Sequence, residues 1–216
     1  IITSGICGAQ INEIDAVKGP DKFLPHLLGH EGLAKIIETG PAVAKVQVGD
    51  HVILHWRPSS GMQSETPKYI HGKNIINAGW VTTFNKHAVI SENRLTKINN
   101  YEDQLYMPLL GCALTTALGV LENDAKLTHR DSLLIAGFGG VGIALLQFAK
   151  FMNARNIVVI DKDERKGKLA LEMGADFYVN WQDKSKTLID LEKIYKLIGR
   201  PDVAIDTTGA PGVIEV

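Results

Sequence analysis

The stretch SLLIAGFGGVG, residues 132–142, decides the fold of this chain. Its first residues, SLLIAG, form a short apolar run that predicts a buried strand. Its last six residues match the pattern G-x-G-x-x-G, and the amphipathic segment GVGIALLQFAKFM at 140–152 predicts a helix. A strand, a glycine-rich turn and a helix in this order predict the start of a dinucleotide-binding unit.

Strands and helices continue to alternate after this unit. The segments NIVVID (156–161), DFYVN (176–180) and DVAIDTTG (202–209) predict strands. The segments DERKGKLALEMG (163–174) and KTLIDLEKIYKLIG (186–199) predict helices, the first ending at a glycine typical of a helix C-cap. Continuous apolar strands that alternate with helices predict an α/β fold, with a parallel sheet covered by helices on both faces.

Each glycine of the turn has a separate expected role. Gly137 permits a tight turn, Gly139 lets the backbone approach a pyrophosphate, and Gly142 lets the helix pack closely on the strand. The helix that begins at Gly140 offers unpaired N–H groups and a partial positive charge to phosphates. The alternative is a glycine-rich turn without a ligand, which the strand, the helix and the acid described next make less favoured.

Asp161 ends the second predicted strand, 19 residues after Gly142. A carboxylate at this place can accept hydrogen bonds from the hydroxyls of an adenosine ribose. The same carboxylate repels a 2′-phosphate, so we expect NAD rather than NADP as the coenzyme.

Composition excludes several classes of partner. The 216 residues are 45% apolar and 22% charged, with a formal net charge of −1, so we expect no nucleic acid and no acidic membrane surface as partner. No apolar run reaches the roughly 20 residues that span a bilayer. The first residues, IITSG, lack the basic start of a signal peptide, and we expect a cytoplasmic protein whose chain begins earlier than this sequence does.

The first hundred residues are rich in turns and in β-like segments. The segment GHEGLAKIIETG (29–40) contains an apolar stretch bounded by glycines, and VGDHVIL (48–54) and TFNKHAVI (83–90) predict strands. The polar stretch 55–79 predicts a long loop, and 105–121 has helix-like apolar spacing interrupted by Pro108 and Gly111.

The chain has two cysteines, Cys7 and Cys112, which lie 105 residues apart. A reduced pair is expected here, and two buried thiols that act as small apolar side chains are one interpretation. His30 and Glu31, between two glycines, offer another. Two thiolates and one imidazole form a donor set for catalytic zinc that leaves one position open, with Glu31 as a supporting or transient fourth ligand. Spacing alone does not decide between these interpretations.

The motifs SGICGAQ, LLGHEG, VGDHVIL, LLGCALTTALG and AGFGGVG occur in this order. The chain resembles the zinc-dependent alcohol dehydrogenases of the medium-chain dehydrogenase/reductase family over nearly its whole length. The resemblance implies a GroES-like β-rich catalytic domain at 1–113 and a Rossmann NAD-binding domain at 114–216, both continuing outside this sequence. It also implies a homodimer or homotetramer.

The resemblance implies roles for particular residues. Cys7, His30 and Cys112 match the catalytic-zinc ligands, and Glu31 matches the acid that follows the histidine. The residues expected at the coenzyme are Thr116 and Val141 near the nicotinamide, Lys166 near the adenosine ribose, Thr207 and Thr208 in the cleft, and Gly137, Gly139, Gly140, Gly142 and Asp161 of the turn and strand.

The sequence departs from the family in two places. The family's structural-zinc lobe has four close cysteines, and the chain has none at 55–79, so we expect one catalytic zinc and no structural zinc. The family usually has Ser or Thr, then often Asp, two residues after the first ligand, where this chain has Ala9 and Gln10. Alanine cannot relay a proton. Water, a substrate hydroxyl, His51 or Glu31 are the alternatives, and Gln10 is expected at most to orient His30.

Three functions follow from the sequence. The first is hydride transfer between NAD and an alcohol, aldehyde or ketone, with zinc as a Lewis acid. The second is a polyol, sugar or cyclitol dehydrogenase, whose substrate would supply its own relay hydroxyl. The third is a non-catalytic NAD-binding protein, favoured by Ala9 and disfavoured by the intact ligand set.

Overall fold

The computed structural model describes residues 1–99, 105–181 and 183–215. Contacts between Cα atoms divide the chain into two compact units, Ile1–Thr115 and Thr116–Val216. The strands in chain order are β1 (Thr3–Ser4), β2 (Glu31–Lys35), β3 (His51–His55), β4 (Lys68–His71), β5 (Asn74–Asn77), β6 (Leu95–Ile98), β7 (Ser132–Ala136), β8 (Asn156–Asp161), β9 (Phe177–Asn180) and β10 (Val203–Asp206). The α-helices are α1 (Gly8–Ile14), α2 (Ala113–Gly119), α3 (Gly140–Phe151), α4 (Glu164–Glu172), α5 (Lys184–Ile198) and α6 (Pro211–Ile214).

The first unit is built on an antiparallel sheet with the strand order β1-β2-β3-β6. One core cluster lies against it and contains Ala34, Val52, Leu54, Val81 and Leu95, all buried. These side chains come from three strands and one loop, so the sheet and the loop at Val81 enclose a single apolar layer. Glu31 is the first residue of β2 in this sheet, and His30 immediately precedes it.

Two sequence predictions for this unit are wrong. The segment 83–90 is not a strand, and the backbone N–H groups at its start bond to a loop: Thr83 and Phe84 both donate to Leu28 O, at 3.2 and 3.1 Å. The stretch 55–79 is not all loop, because it contains the β4–β5 hairpin with its turn at Gly72. Both strands of this hairpin are short and largely exposed. They therefore lack the apolar pattern from which a strand would be predicted.

Helix α1 begins immediately after Cys7, and sequence reasoning missed it. Gln10 Oε1 accepts the backbone N–H of Cys7 at 3.2 Å, which is one half of a capping box. This bond turns the Gln10 side chain back toward the start of the helix, and the side chain is 4% exposed. The start of the helix therefore fixes the position of the Gln10 side chain relative to Cys7.

The second unit is a four-stranded parallel sheet with the order β10-β7-β8-β9. Val158 and Ile160 on one face pack in a cluster with Leu191 and Ile194 of α5. Val159 points to the opposite face and is fully buried, since successive side chains in a strand alternate in direction. Burial on both faces explains the continuous apolar strands and confirms the predicted α/β fold.

The order of the strands reverses between β7 and β10. The chain runs from β7 to β8 on one side and returns to β10 on the other side. In open parallel sheets the crevice at such a reversal, at the carboxyl ends of the strands, is where ligands bind. The glycine-rich turn after β7 and Thr207 after β10 both lie at this place.

Candidate functional site

The first unit brings Cys7, His30 and Cys112 together. Their ligand atoms lie within 4.8 Å of one another, and all three side chains are half-buried. Cys7 precedes α1, His30 precedes β2, and Cys112 lies between the 3₁₀ turn Met107–Gly111 and α2. Three segments that are distant in sequence thus supply one donor cluster.

The two ring nitrogens of His30 have different surroundings. The Gln10 side-chain amide contacts Nδ1. Nε2 is buried and has no hydrogen-bond partner within the described parts of the chain. A buried polar atom without a partner is costly, and a metal ion at Nε2 would remove that cost. The Gln10 contact fixes the ring so that Nε2 is the nitrogen available to a ligand.

The two cysteines titrate as a pair. Contact with the Cys112 thiol, followed by the proximity of the His30 ring, lowers the pKa of Cys7 to about 4. The hydrogen bond to Cys7, followed by burial, raises the pKa of Cys112. The Cys7 contact is also the first cause of the raised pKa of His30. The lowered pKa favours the thiolate form at Cys7, and a bound zinc ion would deprotonate the second sulfur as well.

Glu31 lies next to this cluster but outside the three-atom group formed by the described residues. Its side chain is 1% exposed, and Oε2 accepts the backbone N–H of Ala113 at 3.4 Å. Burial is the first cause of its raised pKa. A Cβ added to Gly5 would lie 2.4 Å from Glu31 Oε1, and one added to Gly111 would lie 2.9 Å from Glu31 Cβ. Glycine at both positions makes room for the carboxylate.

A cavity of about 410 Å³ lies beside His30 within the first unit. Two half-exposed tryptophans, Trp56 and Trp80, form part of its wall. The polar residues of the wall are Gln10, Glu13, His26 and Arg94. Sequence reasoning missed Glu13, His26 and Arg94 as wall residues, because no periodic pattern links them to the motifs.

In the second unit, the turn after β7 needs glycine at two positions for packing. Gly137 has φ +92°, and a Cβ there would lie 2.5 Å from Thr207 Oγ1. A Cβ on Gly142 would lie 2.0 Å from Gly137 O. By contrast, a Cβ on Gly139 or Gly140 would meet nothing within 4 Å. Protein packing therefore does not explain glycine at these two positions, and the open backbone there matches what a bound pyrophosphate requires.

The Asp161 carboxylate lies at the same end of the sheet. Oδ2 accepts the backbone N–H of Phe138 at 2.7 Å, and Oδ1 accepts that of Asp163 at 2.9 Å. Lys166 Nζ lies 3.6 Å from Oδ2. The carboxylate thus ties the glycine-rich turn to the end of β8.

The other predicted coenzyme residues are distributed over the second unit. Val141 lies in the first turn of α3, and Thr116 lies on α2, both half-buried. Thr207 Oγ1 donates to Ala136 O and Gly137 O, at 3.0 Å each, and Thr208 Oγ1 donates to Asp206 Oδ1 at 2.6 Å.

None of the helices in the described ranges has the length and apolar character needed to cross a membrane.

A parallel sheet with an open glycine-rich turn at its strand reversal, together with a thiolate–imidazole donor cluster, defines the class of zinc-binding dehydrogenases. Two family models match the chain: the alcohol dehydrogenase GroES-like domain over residues 1–100, and the zinc-binding dehydrogenase over residues 140–216. The chain belongs to the zinc-dependent alcohol dehydrogenase family of the medium-chain dehydrogenases/reductases, as the sequence motifs predicted.

Individual relatives agree with this assignment. An S-(hydroxymethyl)glutathione dehydrogenase of Synechocystis sp. is 30% identical over 213 residues, covering 87% of this chain and 58% of the relative. One from Photobacterium damsela subsp. piscicida is 29% identical over 208 residues, covering 85% of this chain and 56% of the relative. The structure of benzyl alcohol dehydrogenase from Acinetobacter calcoaceticus has a TM-score of 0.82 at 28% identity, covering 99% of this chain and 63% of that one. The chain spans less than two thirds of the length of each of these proteins.

Proposed function

We propose that this chain carries the metal and coenzyme sites of an enzyme that oxidises an alcohol to an aldehyde or ketone with NAD, or catalyses the reverse reaction. The observation that supports this best is the buried, unpartnered Nε2 of His30 within the three-residue cluster with Cys7 and Cys112. A protein without chemistry has little use for such a site.

One zinc ion would be held by Cys7, His30 and Cys112. When bound, zinc supplies Lewis-acid chemistry and lowers the pKa of an alcohol. The residues around it have supporting parts in this proposal. Gln10 orients the His30 ring, and the buried Glu31 side chain places a carboxyl group beside the ligands. The stretch 55–79 carries no cysteine, which supports a single ion per chain.

The second unit would hold NAD. The open backbone at Gly139 and Gly140 leaves room for the pyrophosphate, and the N–H groups that begin α3 face it. Asp161 would accept hydrogen bonds from the ribose hydroxyls and disfavour NADP. The remaining residues proposed at the coenzyme are Gly137, Gly142, Val141, Thr116, Lys166 and Thr208.

The substrate would be a small molecule with an alcohol or carbonyl group. A polyol or sugar is the second candidate, because the cavity beside His30 combines two tryptophans with Glu13 and Arg94. Indole faces and charged hydrogen-bonding groups together suit a ring that carries several hydroxyls. Assembly as a homodimer or homotetramer is part of the same proposal.

The experiment is elemental analysis of zinc in the full-length purified protein, with activity measured in parallel. We expect one zinc ion per subunit, and loss of both zinc and activity in Cys112→Ser, with NAD binding retained. His71→Ala, in the exposed hairpin, is the matched control and should keep its zinc. NAD binding without zinc in the wild-type protein would contradict the proposal. Turnover of NADP with an efficiency comparable to that of NAD would contradict the proposed choice of coenzyme.

A further inference from the structure

Oxidation of an alcohol releases a proton as well as a hydride, and the usual hydroxyl that accepts this proton is missing. Ala9 has no group that can take or pass on a proton. A side chain in the cavity wall can take that role in place of water or a substrate hydroxyl. The inference below rests on the proposed function.

A carboxylate–imidazole cluster lies in the wall of that cavity. His26 Nε2 is 2.5 Å from Asp21 Oδ2 and 3.5 Å from Glu13 Oε1. His26 Nδ1 donates to Leu27 O at 2.8 Å. Both ring nitrogens face oxygen acceptors, which favours the doubly protonated ring, and the contact with Leu27 is the first cause of the raised pKa of His26. These contacts hold the His26 ring between two carboxylates.

Glu13 lies one turn of α1 beyond Ala9, the position at which the hydroxyl is missing. It lies on α1 four residues after Ala9, so both side chains are on the same face of the helix. Glu13 and His26 line the same cavity as His30. Glu13 is also the one carboxylate in the wall of this cavity as the described residues form it.

The two carboxylates differ in their contact with solvent. The Glu13 side chain is 44% exposed, whereas Asp21 is 17% and His26 is 11% exposed. An exposed carboxylate can return a proton to water, and a more buried ion pair can hold that carboxylate in position. The other charged groups facing the cavity are His30 and Arg94.

We propose that Glu13 is the proton acceptor of the alcohol oxidation and that the His26–Asp21 pair positions it. The O–H bond of the alcohol breaks, and its proton passes to a Glu13 carboxylate oxygen. The adjacent C–H bond breaks, its hydride reduces the oxidised nicotinamide dinucleotide, and a C=O bond forms. Glu13 then releases the proton to solvent, which restores the carboxylate.

The test is the pH dependence of kcat and kcat/KM for the full-length wild-type protein and Glu13→Gln. We expect Glu13→Gln to lower kcat about 100-fold at neutral pH, the lower end of what a general base contributes. The fall in rate toward acid pH should also disappear, because the group that protonates there is gone. Added formate should restore part of the Glu13→Gln rate and leave the wild-type rate unchanged. A structural role for Glu13 would produce neither the altered profile nor the rescue.

Further variants separate the possible outcomes. Asp15→Asn, an exposed acid at the end of the same helix and outside the cavity wall, is the matched control and should behave as wild type. Glu13→Asp should keep the acid limb at a lower rate, and Asp21→Asn should shift its midpoint with little change in KM. An unchanged pH profile in Glu13→Gln, with zinc and NAD still bound, would overturn this inference alone. Absence of zinc-dependent turnover in the wild-type protein would overturn the proposed function as well.

Discussion

Glu92 connects two loops of the first unit through backbone hydrogen bonds. Oε1 accepts the N–H groups of Ala44 and Lys45, at 2.7 and 2.5 Å, and Oε2 accepts that of Met62 at 3.0 Å. The side chain is 4% exposed, and these N–H donors, Met62 first, lower the pKa of Glu92. Only the ionised carboxylate can accept all three bonds without placing a proton among the donors.

We therefore predict that Glu92→Gln lowers Tm by a few degrees at neutral pH. The pKa of Glu92 is lower in the folded state than in the unfolded state. Its stabilising effect is present above the unfolded pKa and is lost as the pH falls through the folded pKa. Thermal unfolding between pH 3 and 7 should show the Tm difference shrinking at the acid end. Glu38→Gln, at an exposed position, is the control and should change Tm little. A Tm difference that stays constant with pH would contradict this role.

At the scale of single residues, the sequence identified the three members of the donor cluster but not its surroundings. Cys7, His30 and Cys112 were found through the order of the motifs, and Gln10 was considered as a residue that orients His30. The cluster of Glu13, Asp21 and His26 was not found, because such contacts depend on how a loop folds back on a helix. The close packing of Gly5 and Gly111 against Glu31 depends on β2 and the 3₁₀ turn meeting, which the sequence does not encode locally.

The turn between β7 and α3 contains glycines of two kinds. A Cβ at Gly142 would collide with Gly137 O at 2.0 Å, whereas a Cβ at Gly139 would meet nothing within 4 Å. Gly139 also has φ −88°, which alanine adopts without strain. The two positions therefore separate the folding of the element from the proposed binding of coenzyme.

We predict that Gly139→Ala leaves Tm unchanged and raises Kd for NAD about tenfold or more, because the methyl group takes space that a pyrophosphate needs. Gly142→Ala should lower Tm and weaken NAD binding together, because α3 has to move away from β7. Calorimetric titration with NAD and thermal unfolding without it measure the two effects. Normal NAD affinity in Gly139→Ala would contradict the placement of the pyrophosphate.

At the scale of elements, the predictions were correct where burial makes a pattern. The strands of the second unit are buried on both faces, so their apolar runs are continuous and locate them well. The segment 83–90 alternates like a strand, yet no strand in the described ranges pairs with it, and Thr83 and Phe84 bond to Leu28 instead. In the β4–β5 hairpin Ile70 pairs with Ile75, and both side chains are exposed. A strand exposed to solvent needs no apolar pattern, so the polar sequence there did not argue against a strand.

At the scale of the molecule, two units with separate cores carry the two proposed sites. The three donors all lie in Ile1–Thr115, and the glycine-rich turn and Asp161 lie in Thr116–Val216. The change in sequence pattern after the turn-rich first hundred residues was predictable, since a turn-rich antiparallel sheet and an alternating parallel sheet have different patterns. The strand order β10-β7-β8-β9 was not, since the residues alone did not state on which side of β7 the last strand lies.

This division predicts where each ligand changes local stability. Zinc would join segments around Cys7, His30 and Cys112, so its removal by a chelator should speed amide hydrogen exchange in α1, at the start of β2 and near residues 107–113. NAD should instead slow exchange at 137–142 and around Asp161, because it binds the folded turn. Exchange followed by mass spectrometry on the full-length protein measures both. Cys112→Ser, which should hold no zinc, is the control and should not respond to the chelator. A chelator effect confined to the second unit would place the metal away from the three donors and contradict the assignment.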